Sequence, residues 1–278
     1  MTRLAWHSVN GVAAGLALLA AVLHAYWNVR LKQADDPLAL AARAMPVGAL
    51  LTAPPVLVLW VLDGRPGLPW QGWLLLAISV LLELAYLHLL SAAYRRGEVS
   101  SVYPVARGSA PLLAVAIGMT VFGERLDAVQ LAGVAALLAG IWLVRPPRGR
   151  RASLLLALLT GVCIAIYTAI DSRGVRLGPF WLYTWLMFAL LSAALVPWRG
   201  PRSVPGARTV GVLVVVSYAL VLAALSIAPL ALVAPLRESG VVLVSLWGVF
   251  RLGERQGARL KILGAGAVLA GAALLTAG

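Results

Sequence analysis

Cysteine and histidine are nearly absent: the 278 residues hold one Cys and three His. The lone Cys163 sits inside an apolar run, which excludes a disulfide framework and a Cys-rich metal centre. His7, His24 and His88 show no His-Glu-x-x-His spacing, and there is neither a phosphate-binding Gly loop nor a Gly-x-Ser-x-Gly elbow. No catalytic residue, metal or cofactor is expected, the chain does not read as an enzyme, and ATP is not its direct energy source. Charge is scarce as well: Asp, Glu, Lys and Arg make up 12% of the chain, whereas 62% is hydrophobic and the mean hydropathy is +0.92. An ordinary soluble domain cannot hydrate that balance, so the main solvent is lipid. Also missing is the alternation, in segments of roughly ten residues, that marks an outer-membrane barrel; Leu/Val runs with Gly and Ala stand in its place. The expected fold is an all-α integral membrane protein.

A hydrocarbon layer about 30 Å thick takes roughly 20 apolar residues per helix, which allows some ten to twelve spans and leaves no room for a soluble domain. The apolar runs predict ten transmembrane helices, at 9–31, 37–62, 71–94, 99–121, 126–144, 153–171, 179–198, 208–227, 231–250 and 260–277. The breaks between them combine turn formers with charge, as in Asp35-Asp36-Pro37 and Asp63-Gly64-Arg65-Pro66-Gly67. The run from Val9 to Asn28 is long and lacks a small-x-small cleavage site, so it is expected to be the first span rather than a leader. Arg145 to Ala152 reads as a central linker between two halves, 1–144 and 153–278, of five helices each.

The halves echo each other. Arg107-Gly108-Ser109, Gly118, Gly123-Glu124-Arg125, Gly133 and Gly140 are answered by Arg237-Glu238-Ser239, Gly248, Gly253-Glu254-Arg255, Gly264 and Gly271, at an offset of 130 through Arg255 and 131 beyond it. Five spans is an odd number, so two such halves lie in the membrane with opposite orientation. An inverted repeat of this kind sets a binding site near the midplane between the halves and makes alternating access natural. The net charge of +13 comes from Arg residues that punctuate the apolar runs, a topology signal rather than a nucleic-acid footprint. Fifteen Arg and Lys residues fall on the side of Arg30, Arg95, Arg145 and Arg208 and five on the side of Arg65, Arg125 and Arg173, which favours both termini outside.

Gly123-Glu124-Arg125, followed by Gln130, Gly133 and a Gly/Ala/Leu-rich helix, resembles the close of an EamA-type domain of the drug/metabolite transporter superfamily, and Gly253-Glu254-Arg255 closes the second half in the same way. His24-Ala25-Tyr26-Trp27-Asn28 is similar to a His-Ala-x-Trp-Asn pattern in a subgroup of these carriers. The resemblance implies a ten-helix carrier of the inner (plasma) membrane, with a central cavity walled by helices 1, 3, 4, 6, 8 and 9 while helices 5 and 10 pack together. Both termini would then lie in the cytoplasm, against the charge count. Members move amino acids, other small metabolites, drugs or nucleotide sugars.

A charge at mid-bilayer costs about 2.5 to 3.5 kcal/mol on insertion scales, so it persists only with a partner, an aqueous cavity or a route to the interface. Arg43, Glu83, Arg107, Asp171, Arg237 and Glu238 are such residues. Arg107 and Arg237 follow Pro104 and Pro235; each offers a planar fork to a substrate carboxylate or phosphate, or snorkels and pairs locally. Glu83, with Tyr86 on its face, is read as a site of proton coupling or as a permanent pair with Arg107 or Arg43; Glu238 and Arg43 belong to the same charge-handling group. His24, Trp27 and Asn28 share a face of helix 1, as binding groups or as interfacial anchors. Tyr103, Tyr167 and Tyr218 offer hydroxyls to a cavity or simply pack. Trp181, Tyr183 and Trp185, with Trp60, Trp70, Trp73 and Trp198, read as an interfacial belt, and Glu124 and Glu254 as loop-facing hinges or caps. The expected function is secondary transport of a small zwitterionic or anionic, amino acid-like metabolite, with protons as candidate coupling ion. The expected partners are that small molecule and the bilayer, not nucleic acid, in a monomer or dimer. Flipping of a lipid-linked sugar or phospholipid, and export of amphiphilic drugs, are the competing readings.

Overall fold

The computed structural model describes residues 3–35, 37–96, 99–144, 151–195, 204–240, 242–243, 250 and 258–277. Among these residues ten helices follow one another: α1 (Arg3–Lys32), α2 (Pro37–Leu62), α3 (Trp70–Arg96), α4 (Val99–Thr120), α5 (Ala128–Val144), α6 (Arg151–Gly174), α7 (Phe180–Leu195), α8 (Ala207–Ile227), α9 (Leu230–Glu238) and α10 (Ala258–Ala277). Trp198, Gly248, Gly253-Glu254-Arg255 and the Tyr103 side chain lie outside the described residues. Six of the helices, α1, α2, α3, α6, α8 and α10, are long and apolar enough to cross a membrane, and Val105–Thr120, Ala128–Leu143 and Phe180–Leu195 are shorter apolar helices.

Local chemistry sets the ends that apolarity alone misplaces. The fifth helix starts at Ala128 rather than 126 because Asp127 caps it. Its carboxylate accepts the Gln130 N–H at 2.8 Å, and the Gln130 side chain accepts the Asp127 N–H at 3.1 Å. Helix α1 runs back to Arg3 and α6 forward to Gly174, each beyond its apolar stretch.

Helices of the first 144 residues pack mainly on helices beyond residue 150: α3 on α6, α1 and α2 on α8, α4 on α6 and α9, and α5 on α10. Glycines permit the closest crossings. A Cβ on Gly133 would stand 2.8 Å from the Gly271 carbonyl oxygen, and one on Gly140 would stand 2.5 Å from that of Gly264, so α5 and α10 meet backbone to backbone. Outward surfaces are apolar; Leu62 is 77% exposed and Leu50 72%, a display suited to acyl chains rather than water. Inward lie fully buried side chains such as Leu191, Leu222, Leu225, Leu230 and Leu236.

Candidate functional site

One cavity lies among α1, α2, α3, α4, α6, α7, α8 and α9 and leaves about 620 Å³ of space between its atoms, open mouth included. Ala20, His24 and Trp27 come from α1, Met45 from α2, Glu83 and Tyr86 from α3, and Arg107 from α4. Tyr167 comes from α6, Phe188 from α7, Ser217 and Tyr218 from α8, and Arg237 from α9. Helix periodicity explains the grouping: Glu83 and Tyr86 are three residues apart, as are His24 and Trp27, so each pair shares a face. The α2 and α7 contributions extend the wall beyond the six helices that the resemblance implies.

The charged groups are ordered. Glu238 Oε1 lies 3.5 Å from Arg107 Nη1 and 3.3 Å from Arg237 Nε, so one carboxylate serves two guanidinium groups. Arg237 also donates to Thr168 Oγ1 at 3.3 Å and to the Tyr167 hydroxyl at 3.4 Å, and its guanidinium lies 5.7 Å from the Tyr218 ring centroid. Pairing of Glu83 with Arg107 or Arg43 is not formed; among the described residues no hydrogen bond or ion pair engages the Glu83 carboxylate. It is buried against the cavity, 9% exposed, with Asp171, Arg237 and Arg107 as charged neighbours. Aromatic rings fill the remaining wall: His24 stands edge-on to Trp27 at 4.6 Å, Tyr86 to Tyr167 at 6.3 Å and Phe188 to Tyr218 at 6.0 Å between centroids. The buried Trp27 indole N–H has no acceptor among the described residues.

Behind Tyr218 lies Asp171, fully buried, accepting the Tyr218 hydroxyl at 2.5 Å on Oδ2 and the Tyr183 hydroxyl at 2.9 Å on Oδ1. This corrects the interfacial reading of Tyr183: its ring is 0% exposed, seated against Gly174, and its hydroxyl serves a carboxylate rather than a headgroup. Trp185 donates its indole N–H to the Ala49 carbonyl at 2.9 Å, tying α7 to α2. Trp70 and Trp73 are exposed, 71% and 46%.

Not every candidate reaches the cavity. The Asn28 side-chain amide donates to the His24 carbonyl at 2.7 Å, the i to i−4 bond that its spacing allows, and Asn28 is not in the wall. Arg43 is half-buried on α2, away from the wall, and Glu238 acts from behind Arg107 and Arg237. Met45, Phe188 and Ser217 escaped sequence reasoning because α2, α7 and α8 are predominantly apolar, and a Met, a Phe or a single Ser among apolar neighbours marks no face.

Four interhelical turns meet at one end of the bundle. The Glu124 carboxylate accepts the N–H groups of Leu230 and Ala231, both at 2.8 Å, and so caps α9 from the α4–α5 turn. Arg176 donates to the Leu225 and Ala228 carbonyls at the end of α8, at 3.3 and 3.0 Å. Arg173 lies over the Phe122 ring at 3.9 Å, and Gly178 adjoins Leu68. Glu124 is thus a cap, as its motif suggests, but of a helix 106 residues away. Gly123 adopts φ +67° to turn the chain there, and a Cβ on Gly118 would strike the Glu124 carboxylate, so both glycines of the motif serve this contact.

Residues 11–145, spanning α1 to α5, match the EamA-like transporter family. The chain carries that family's domain in its first five helices. It is accordingly a multi-pass membrane transporter of the drug/metabolite transporter superfamily, whose members act on small molecules across a bilayer. A crystal structure described only as that of a protein superposes with a TM-score of 0.72 at 21% identity, covering 97% of this chain and 98% of that one; at this identity the likeness is one of fold. No curated protein sequence matches this EamA-family chain.

Proposed function

We propose that this EamA-family protein is a secondary carrier of a small polar, amino acid-like metabolite, zwitterionic or anionic, in the inner membrane, working by alternating access. Two five-helix halves, residues 1–144 and 153–278, would be mounted in opposite orientation and rock about the cavity between them. The observation that carries this reading is the pairing of Arg107 from α4 with Arg237 from α9 across one shared carboxylate at the cavity. These two positions occupy the same place in the repeat, and each helix comes from a different half. A substrate carboxylate can displace Glu238 from either fork, an exchange of one charge-assisted contact for another. The meeting of alternate turns at one end, and the interleaving of α1 to α5 with later helices, support the duplicated arrangement.

The test is counterflow in proteoliposomes of the purified chain with a panel of radiolabelled amino acids and organic acids. Saturable exchange of at least one is expected, with Arg107→Ala lowering the rate by tenfold or more in a protein that still unfolds cooperatively. Exchange confined to a permanent organic cation, or lipid scrambling without solute flux, would refute the reading.

A further inference from the structure

The polar groups of the cavity divide into a satisfied set and one left over. Glu238 engages Arg107 and Arg237 together, so this trio carries one net positive charge, two cations against one anion. Asp171 is provided for by two tyrosine hydroxyls. Glu83 is not provided for: its carboxylate is buried at the cavity wall with no hydrogen bond or ion pair among the described residues. A carboxylate largely removed from water needs a counter-charge or donors, and its charged neighbours Arg107 and Arg237 already share Glu238. The empty space beside it is where one can come from.

The rings around this position suit a nitrogen cation. Tyr86 sits one turn from Glu83 on the same face, Tyr167 stands edge-on to Tyr86, and Tyr218 and Phe188 line the same space. Aromatic faces attract ammonium groups electrostatically, and most strongly away from water. The opposite pole belongs to the guanidinium groups. An anion lacking a nitrogen cation would answer the arginines but add negative charge beside Glu83; an amine lacking a carboxylate would answer Glu83 alone. Only a zwitterion answers both.

We infer that Glu83 is the receptor for a protonated amine, so that the transported molecule is a zwitterion lying with its ammonium at Glu83 and its carboxylate at Arg107 and Arg237. This rests on the carrier reading above and narrows it from anions and zwitterions to zwitterions.

The test uses the full-length protein in detergent and two matched series: alanine, propionate and ethylamine; leucine, 4-methylpentanoate and 3-methylbutylamine. Affinity is measured by calorimetry for wild type, Glu83→Gln, Glu83→Asp and Arg107→Ala. In at least one series the amino acid is expected to bind tenfold or more tighter than its des-amino acid. Glu83→Gln should bring that ratio close to one by weakening the amino acid alone, whereas Glu83→Asp keeps a preference. Arg107→Ala should weaken amino acid and carboxylic acid while sparing the amine. A des-amino acid that binds as tightly as its amino acid, or a ratio untouched by Glu83→Gln in a variant with wild-type unfolding temperature, overturns the inference and leaves the carrier reading standing. If no amino acid or carboxylic acid binds and none exchanges in proteoliposomes, the carrier reading falls and takes the inference with it.

Discussion

Replacing Glu124 with alanine removes both acceptors at the start of α9, a helix of which nine residues are described and which carries Arg237 and Glu238 at its far end. Leu230 and Ala231 are 0% exposed, so water does not readily replace the lost carboxylate at their N–H groups. An orphaned buried donor costs about 1–3 kcal/mol, and a negative charge at a helix N-terminus contributes about 0.3–1 kcal/mol. Because Glu124 itself is half-buried, some hydration returns, and the expected loss for Glu124→Ala is about 2–4 kcal/mol. Glu124→Gln keeps one oxygen and loses the charge; about half that loss is expected. The assay is reversible unfolding in mixed micelles, with the exposed neighbour Arg125→Ala as control, expected within about 0.5 kcal/mol of wild type. Gly118→Ala should mimic Glu124→Ala, since its methyl would occupy the carboxylate's place. A Glu124→Ala protein as stable as wild type would refute the capping argument, and with it the claim that this turn positions α9.

The Asp171 cluster should behave as a unit. A double-mutant cycle of Asp171→Asn with Tyr218→Phe, read by the same unfolding assay, is expected to show coupling of about 1.5–3 kcal/mol, the range for hydrogen bonds to a charged group; additivity would mean the contact is not formed. Gly140→Leu should disrupt the α5–α10 crossing and lower the unfolding temperature, with a cost of about 1–3 kcal/mol or more from overpacking against backbone. Gly266→Ala, on the same α10 but with nothing within 4 Å, should be neutral or slightly stabilising; equal damage from both would contradict a backbone-to-backbone crossing at Gly140.

The helices were legible because apolar runs of membrane length are punctuated by Pro, Gly and Arg, and lipid leaves a backbone few alternatives. Their ends were less so: the start of α5 depends on Asp127 and Gln130 exchanging hydrogen bonds, a signal carried by two residues rather than by hydropathy. The wall residues His24, Trp27, Glu83, Tyr86, Arg107, Tyr167, Tyr218 and Arg237 stood out because polar and aromatic groups are rare in these spans. Direction was harder to read. In α7, apolar on all sides, nothing in the sequence says that Tyr183 faces a carboxylate on α6 while Trp185 reaches a carbonyl on α2. Asn28 stands off the wall for a physical reason, since the four-residue spacing that put it on the face of His24 also lets its amide reach the His24 carbonyl. Glu124 showed in the repeat as a motif, but its partner lies 106 positions away, a distance that no local pattern spans.

Access to the cavity from each side of the membrane tests the central claim most directly. Ser217→Cys places a thiol in the cavity wall, and Cys163→Ala removes the native one. With a membrane-impermeant maleimide applied to one face at a time in oriented vesicles, the thiol should be labelled from either face, at rates that shift oppositely when a transported amino acid is added to one side. Labelling from a single face whatever the substrate gradient would contradict an alternating cavity between two halves.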